Sequence, residues 1–375
     1  MAEHPLYPVN RDHLTAITGE LGIWQHAVGP LPNEAFGYCT DDVARALTID
    51  LDHARVLGWP AVEASAWRSL HFMRDAFDPE TGRFRNFRDA AGRWLDGEAS
   101  HDSYGRAMLA LGGAMCARTD DDLAARARLL FAVALPASSR LTDLRATAST
   151  LLGCAAALES ADLDDALRTS VTDAAERLGA RLGAAFAPSA RDADWPWPEP
   201  VLTYENALLP RALIVAGKRT RDHELIRLGL RTLDWLVDVQ TSDGGRFSAI
   251  GSNGFWPRGG PRARFDQQPI EATAMILAAE VALAQTGEPR YLDVIERAYA
   301  WFLGDNDVGL AMADPVAGGC FDGLEPAGVN RNQGAESTLM WLTALEHVRE
   351  IRRATSAVLT TPARPAVATV PASRA

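Results

Sequence analysis

Carboxyl groups precede apolar runs at several places along the chain, and their positions suit acid and base chemistry. Asp41 and Asp42 lie in "GYCTDDVAR", Asp102 in "SHDSYGR", Glu271 in "FDQQPIEA" and Glu336 in "NRNQGAES". A protonated carboxyl group can donate a proton to a leaving oxygen, an ionised one can activate water, and such pairs hydrolyse glycosidic bonds. Asp102 and Glu271 are therefore our first catalytic candidates, followed by Asp42 and Glu336.

Amide, guanidinium and aromatic side chains surround the same motifs, as expected of a sugar-binding site. Sugar hydroxyls hydrogen-bond to carboxylate, amide and guanidinium groups, and apolar sugar faces stack on indole rings. The predicted substrate-binding residues are Asp41, Arg45, His101, Tyr104, Arg106, Arg145, Trp195, Trp197, Tyr204, Glu205, Asn206, Trp256, Asp266, Gln267, Gln268, Asn330, Asn332 and Gln333.

Each of these residues also has a purely structural explanation. The helix dipole favours an acid in a first turn, and a Trp in a Pro-rich loop such as "DADWPWPEP" can serve only as an anchor. Asp41 and Arg45, like Asp102 and Arg106, are spaced four apart on one helical face. The arginine then either keeps a catalytic carboxylate ionised or balances a buried charge. Capping alone does not explain why acids, amides and Tyr precede the most apolar helices.

Hydrophobic periodicity near 3.6 residues predicts about twelve helices and few strands. The helices are expected at residues 11–27, 41–57, 60–76, 102–117, 121–134, 142–159, 162–186, 204–216, 221–240, 269–286, 288–303 and 333–352. Short hairpins are expected from residues 82–87 with 92–96, and near "GGRFSAI" and "GGCFDG". We expect residues 1–353 to form one domain, and residues 354–375, rich in Pro, Ala and Thr, to be disordered.

The links between these helices alternate between short and long, which predicts the architecture. Every second helix, such as "EATAMILAAEVALA", is apolar nearly all round, so an inner ring wrapped by an outer ring is expected. The predicted fold is an all-α (α/α)6 toroid with loops and short β-hairpins at one end; an open helical solenoid is the alternative. In a closed ring, Asp102 would lie opposite Glu271, and Glu336 would neighbour Asp41 and Asp42.

Composition excludes several classes of function. The formal charge of -12 disfavours nucleic acid as a partner, and Lys218 is the only lysine, which disfavours Schiff-base chemistry and a phosphate-binding P-loop. The four cysteines form no CxxC motif, and HExxH is absent, so we expect buried thiols, no metal and no cofactor. The N-terminus "MAEHPLYPVNRDHL" lacks the pattern of a signal peptide and no apolar run is long enough to span a bilayer, so a cytoplasmic protein without a membrane partner is expected.

Over roughly residues 10–352, the chain resembles the (α/α)6-toroid carbohydrate-active proteins of the six-hairpin glycosidase superfamily. The resemblance is carried by the architecture and by the motifs "GYCTDD", "HDSYGR", "DQQPIEA" and "NRNQGAES". It implies a carbohydrate substrate and a pair of acids that flank the scissile bond. We therefore expect a glycoside hydrolase that acts on an oligosaccharide or glycan fragment.

Other activities on the same architecture remain open at this point. Sugar 2-epimerases of this shape rely on paired histidines, whereas only His101 falls in one of these motifs. Polysaccharide lyases need a Tyr or His base and a group that neutralises a uronate, for which Tyr104, Tyr204 and the arginines leave room. A glycan-binding toroid without activity is a further alternative, and a protein-interaction solenoid would leave the acids and amides unexplained.

Overall fold

In the computed structural model, which describes residues 4–95, 100–117 and 120–360, two concentric layers of helices form a closed ring. The inner helices are α2 (Thr40–Leu57), α4 (His101–Ala114), α6 (Leu144–Ala157), α8 (Leu208–Thr220), α10 (Pro269–Thr286) and α12 (Ala335–Thr360). The outer helices are α1 (Asp12–Ala16), α3 (Glu63–Ala76), α5 (Asp121–Ala134), α7 (Asp165–Phe186), α9 (His223–Val239) and α11 (Arg290–Phe302). Each inner helix contacts the next, and α12 contacts α2. The ring is therefore closed, which confirms the (α/α)6 toroid and rules out the open solenoid.

Burial of the inner helices follows from their composition. The run from Pro269 to Ala279 in α10 is buried at every position except Leu277, which is partly exposed, because apolar residues occupy all sides of the helix. By contrast, α9 buries Ile226, Leu233 and Leu236 on one face and exposes charged residues on the other. Within the described part of the chain, none of the helices has the length and apolar character needed to cross a membrane.

Long loops join the end of each outer helix to the start of the next inner helix, and short antiparallel strand pairs stiffen them. We call this end of the ring, where the inner helices begin, the mouth. The strands are β1 (Ala27–Val28), β2 (Leu31–Pro32), β3 (Tyr38–Cys39), β4 (Phe77–Asp78), β5 (Arg83–Phe84), β6 (Phe87–Arg88), β7 (Val201–Leu202), β8 (Trp256–Pro257), β9 (Ala313–Asp314), β10 (Gly319–Cys320), β11 (Gly323–Glu325) and β12 (Gly328–Asn330). The pairs are β1 with β2, β3 with β6, β4 with β5, β7 with β8, β9 with β10, and β11 with β12.

These pairings differ from the predicted hairpins. Residues 82–87 do not pair along their length with 92–96: β5 pairs with β4, β6 pairs with β3, and only an isolated bridge joins Arg88 to Trp94. The "GGRFSAI" segment forms a single bridge between Thr241 and Phe247. The "GGCFDG" segment contributes β10 and the first residue of β11, as expected of a region with strand character.

The first and the last helix also differ from their predicted bounds. The first helix ends at Ala16 rather than near residue 27, and the chain then forms a turn in which the Gly19 N–H donates to the Gly22 carbonyl and Thr18 bridges to Ile23. The chain turns there toward β1 instead of continuing as a helix. At the other end, α12 continues to Thr360 through part of the segment predicted to be disordered. Residues 361–375 of that segment lie outside the described residues.

Close backbone contact between α4 and α6 fixes one side of the ring. A Cβ atom on Gly153 would come within 2.3 Å of the Met108 carbonyl oxygen, and one on Gly112 would come within 2.1 Å of the Gly153 carbonyl oxygen. Both obstructing atoms belong to backbone, which cannot move aside as a flexible side chain can. The two helices therefore need glycine at this crossing.

We predict that Gly153→Ala destabilises the fold by about 1–3 kcal/mol, because overpacking at the crossing outweighs the better helix propensity of alanine. Gly113→Ala, on α4, is the matched control, since a Cβ atom there has no neighbour within 4 Å. This control is expected to be neutral or to gain up to about 1 kcal/mol. Denaturant unfolding followed by circular dichroism measures both; equal stability of the two variants would contradict the proposed crossing.

Candidate active site

An ion network at the mouth joins the first and last inner helices. The Arg45 guanidinium on α2 donates to Asp42 Oδ1 at 2.8 Å and lies 2.8 Å from Glu336 Oε2 on α12. The thiol of Cys39 donates to the other Asp42 oxygen at 3.0 Å. Burial raises the pKa of Asp42 to about 6, although Arg45 opposes this change. Both oxygens of Asp42 are therefore engaged within the protein.

A second buried ion pair crosses from α4 to the loop before α8. The Arg106 guanidinium forms a two-pronged hydrogen bond with the Glu205 carboxylate, and both side chains are almost fully buried. Burial alone would raise the pKa of Glu205, but the charge and hydrogen bonds of Arg106, together with the charges of Arg45 and Arg145, lower the pKa overall. Glu205 is thus held ionised.

The observed partners correct the pairing expected from spacing. Arg45 pairs with Asp42 and Glu336 rather than with Asp41, and Arg106 pairs with Glu205 rather than with the acid four residues earlier. Several helices begin close together at the mouth, so each arginine can reach a carboxylate outside its own helix. The two-pronged pair of Arg106 with Glu205 is stronger than a contact along the surface of one helix.

Glu271, the first buried acid of α10, holds the turn that carries Glu205. Its carboxylate accepts hydrogen bonds from the Glu205 backbone N–H and from the Asn206 side chain, the latter at 3.1 Å. Glu205 has φ of 47°, a left-handed conformation that is unfavourable for a residue with a side chain. Burial raises the pKa of Glu271 to about 7, and its hydrogen bonds oppose this rise only in part.

Asp41 lies at the start of α2, where the neighbouring loop supplies the helix cap. Asn86, between β5 and β6, accepts from the Thr40 backbone N–H at 3.1 Å and donates to Asp41 Oδ2 at 2.8 Å. Asp41 Oδ1 is buried and has no hydrogen-bond partner among the described residues. Burial raises the pKa of Asp41 despite the nearby Arg45 and Arg106, and the charge of Asp102 adds to the rise.

Asp102 lies at the start of α4, next to α2 in the ring. The Tyr204 hydroxyl donates to its Oδ2 at 2.5 Å. Arg145 on α6 holds Tyr204 in place, since its Nε donates to the Tyr204 carbonyl at 2.6 Å and its guanidinium lies 4.6 Å from the ring centre. The same guanidinium forms an ion pair with Glu199 at 3.0 Å.

Several predicted binding residues lie in the core and do not join this cluster. Trp195 and Trp197 are only 4% and 1% exposed and pack against Trp235, so their rings are not open to a sugar. The buried Tyr104 directs its hydroxyl to the Ala134 carbonyl. For these three residues the anchoring explanation replaces the binding one.

Gln267 is also fully buried, and its side chain is saturated by internal partners. Its oxygen accepts from the Trp301 indole at 2.9 Å, and its amide donates to Asp307 at 2.7 Å. The neighbouring Asp266 accepts from the Ser252 hydroxyl at 3.2 Å. These contacts hold the loop before α10, so Gln267 is not retained as a binding residue.

The polar residues before α12 mainly connect loops of the mouth. Asn332 accepts from the Ala27 backbone N–H at 2.9 Å and lies 2.9 Å from the His26 ring nitrogen. Asn330 accepts from the Asn332 backbone, and the backbone of Gln333 bonds to Ala27. The side chain of Gln333 is buried, whereas Asn330 and Asn332 are partly exposed.

Three further predicted residues lie on the periphery of the mouth. His101 is partly exposed and its ring contacts the Thr142 hydroxyl at 3.2 Å. Trp256 is partly exposed and stacks on Trp235. Gln268 directly precedes α10 and is partly exposed, with no capping hydrogen bond from its side chain. Their binding roles stay predictions.

Sequence reasoning missed several partners of these residues. Asn86 falls in a segment predicted only to be a strand, and Glu199 falls in "DWPWPEP", in which only the two Trp residues were predicted to bind a sugar. His26 lies within the segment predicted to be the first helix. An amide or acid inside a loop next to a predicted helix start is the one signal that would have indicated Asn86 and Glu199. Among the residues with described positions, no group of three or more His, Cys, Asp and Glu is arranged to hold a metal ion.

Comparison with known proteins supports the fold but does not assign the chain to a family. No protein-family model and no curated protein matches the sequence. A sugar epimerase from a ruminal bacterium superposes with a TM-score of 0.68 at 12% identity, over 89% of this chain and 94% of the epimerase. A cellobiose 2-epimerase from Spirochaeta thermophila DSM 6192 gives 0.66 at 16% identity, over 90% and 92%. The GH76 α-mannanase BT2949 from Bacteroides thetaiotaomicron gives 0.60 at 10% identity, over 92% and 96%.

These superpositions extend over about nine tenths of the chain and support the (α/α)6 toroid expected from the sequence. At such low sequence identity the likeness concerns the fold. The identity of the reacting residues therefore has to be argued from the side chains of this chain.

We predict that Glu271→Gln changes how stability depends on pH. The pKa of Glu271 is raised from 4.5 to about 7 in the folded protein, so its contribution to stability is full below pH 4.5 and is lost as pH rises through about 7. Relative to Glu271→Gln, the wild-type protein should lose up to about 3 kcal/mol across this window. Denaturant unfolding of both proteins between pH 4.5 and 8 measures the difference, and a flat difference would contradict the assignment.

Proposed function

We propose that this protein is a glycoside hydrolase in which Asp41 is the general acid and Asp102 is the general base or nucleophile. The observation that carries the proposal is the buried Oδ1 of Asp41, which lacks a hydrogen-bond partner among the described residues and whose carboxyl group has a raised pKa. Such a group is protonated more readily than an ordinary Asp, as a general acid must be. Asp102, on the adjacent inner helix, supplies the second carboxyl group.

This assignment revises the order of the four predicted catalytic acids. Asp42 and Glu271 have both oxygens engaged by protein donors, so they act here as framework. Glu336 is more accessible, with 38% of its side chain exposed, but it is an ion-pair partner of Arg45. Asp102 is retained from the first prediction, and Asp41 moves from the binding group to the reacting pair.

The surroundings of the two acids suit cleavage of a glycosidic bond. Asp41 would donate its proton to the leaving oxygen, while Asp102 would act on water or on the anomeric carbon. Tyr204 and Arg145 fix the orientation of Asp102 through the contacts described above. Positive charge that develops on the sugar ring in the transition state would be stabilised by the surrounding carboxylates.

The dependence of kcat on the leaving group distinguishes the role of general acid from that of general base or nucleophile. We predict that Asp41→Asn lowers kcat by about 100-fold to 10,000-fold on natural glycosides but much less on glycosyl fluorides, which need no protonation to depart. Asp102→Asn should lose activity on both kinds of substrate, because the group that acts at the anomeric centre is missing. Steady-state kinetics on matched glycoside and fluoride pairs from a glycan panel measure this difference.

The matched control is Asp143→Asn, which keeps a good N-cap at the start of the neighbouring inner helix α6. It should retain activity and stability. Full activity of both Asp41→Asn and Asp102→Asn would overturn the proposed pair. Retained sugar binding by the wild-type protein without cleavage of any glycoside would instead support the non-catalytic alternative.

Epimerisation or isomerisation of a sugar is the second candidate. Two observations favour it: the epimerases superpose with higher TM-scores than the mannanase, and His26 lies beside Asn332 at the mouth. An imidazole at this position could move a proton to or from a sugar carbon.

The two candidates are separated by incubating reducing disaccharides with the protein in D2O. Hydrolysis creates one new reducing end for each glycosidic bond lost and leaves the C2 proton in place, which is the result we expect. Epimerisation through C2 deprotonation introduces deuterium at C2 without new reducing ends. Proton NMR of the products measures both events, and deuterium at C2 would favour the second candidate.

A further inference from the structure

The three arginines that lie at the mouth each have a carboxylate partner, whereas Arg211, farther along α8, forms no ion pair with a described residue and its Nε is buried without a hydrogen-bond partner. Arg45, Arg106 and Arg145 form the ion pairs described above, and their side chains are only 9%, 8% and 3% exposed. The Nε of Arg145 donates to the Tyr204 carbonyl, and the Nε of Arg45 is buried and closed to solvent, although it has no hydrogen-bond partner among the described residues. A bound sugar would therefore have little access to unpaired positive charge at the base of the site.

Carboxyl groups, by contrast, exceed the available cations. Asp41, Asp102 and Glu271 form no ion pair with any residue in the described ranges, and Glu336 exposes 38% of its side chain at the mouth. Lys218 lies in the last turn of α8, at the opposite end of that helix from the mouth. Because Asp41 is the proposed proton donor and the pKa of Glu271 is raised, the acids in excess are Asp102 and Glu336, which shares Arg45 with Asp42.

This imbalance has a direct consequence for ligands. A carboxylate, sulfate or phosphate group on a sugar would lose hydration on entering the mouth, would find Arg45, Arg106 and Arg145 already paired, and would face like charges. Arg331, in the loop before α12, is exposed, so its charge is screened by solvent and salt. Neutral hydroxyl groups can still bond to the carboxylates, and an ammonium group gains attraction.

We propose that the site accepts neutral and ammonium-bearing sugars and rejects glycans whose bound ring carries an anionic substituent. This inference rests on the proposed function for the location of the site, although it concerns binding rather than cleavage. It disfavours a lyase that acts on uronates, because such an enzyme needs a free group to neutralise the uronate. It equally disfavours sugar phosphates and sulfated glycans as substrates.

The test compares matched sugars that differ in one substituent. The probes are glucose, glucosamine and glucuronate, then mannose, mannosamine and mannuronate, together with a glycan array that contains neutral, amino, uronate and sulfated members. Ligand-observed NMR at low ionic strength is expected to rank the amino sugar at or above the neutral sugar. The uronate should bind at least about tenfold more weakly than the neutral sugar. Equal or tighter binding of a uronate or sulfated probe overturns the inference.

Glu336→Gln tests the source of the selectivity. Removal of this accessible carboxylate should reduce the preference for the ammonium form over the neutral sugar by about threefold, the scale of a partly exposed ion pair. Glu288→Gln is the matched control, because Glu288 is an exposed acid beside α11 that pairs with Arg290 away from the site. An equal change in both variants overturns the local origin of the effect.

The outcomes distinguish this inference from the proposed function. Tight binding of anionic probes together with glycoside cleavage that depends on Asp41 and Asp102 overturns the charge selectivity and leaves the hydrolase standing. Selective binding of neutral and amino sugars without cleavage of any glycoside overturns the hydrolase and supports the charge selectivity.

Discussion

The structure of the mouth depends on compensation of buried charge. Inner helices begin there, so their positive dipole ends converge and favour acids, but carboxylates that crowd together repel one another. Two arginines reduce this repulsion. Arg45 pairs with acids of α2 and α12, and Arg106 pairs with an acid in the loop before α8. Because a buried guanidinium without its partner is strongly unfavourable, each pair also constrains the relative positions of the segments it connects.

These constraints divide the acids of the mouth into two groups. Glu205 and Glu271 belong to the framework: one neutralises Arg106, and the other holds the left-handed backbone of Glu205 through its N–H group. Asp41 and Asp102 form no ion pair with a guanidinium group among the described residues, and we propose them as the reacting pair. A rigid framework of ionised pairs around less restrained acids is a reasonable way to position reacting groups.

The architecture followed from the sequence because it depends on patterns that are local. Apolar residues all round α10 and one-sided burial in α9 indicate an inner and an outer layer before any partner is known. The choice of ion-pair partner is not local: Arg45 and Arg106 each have an acid four residues earlier, yet Arg45 pairs with Asp42 and with Glu336 on α12, and Arg106 pairs with Glu205. The prediction that Trp195 binds a sugar has a similar weakness. Composition does not distinguish an exposed Trp from one that packs on Trp235.

The similar toroids include epimerases and a mannanase, so the backbone alone does not select a reaction. What differs between such reactions is which groups at the mouth can gain or lose a proton, and that depends on the partners that each side chain has. In this chain Asp41 combines partial exclusion from solvent with an unsatisfied oxygen, whereas Asp42, its neighbour in sequence, is bonded at both oxygens. Two adjacent aspartates at the start of the same helix thus differ in how many of their oxygens are hydrogen-bonded. The difference comes from contacts with Asn86, Cys39 and Arg45 rather than from residue type.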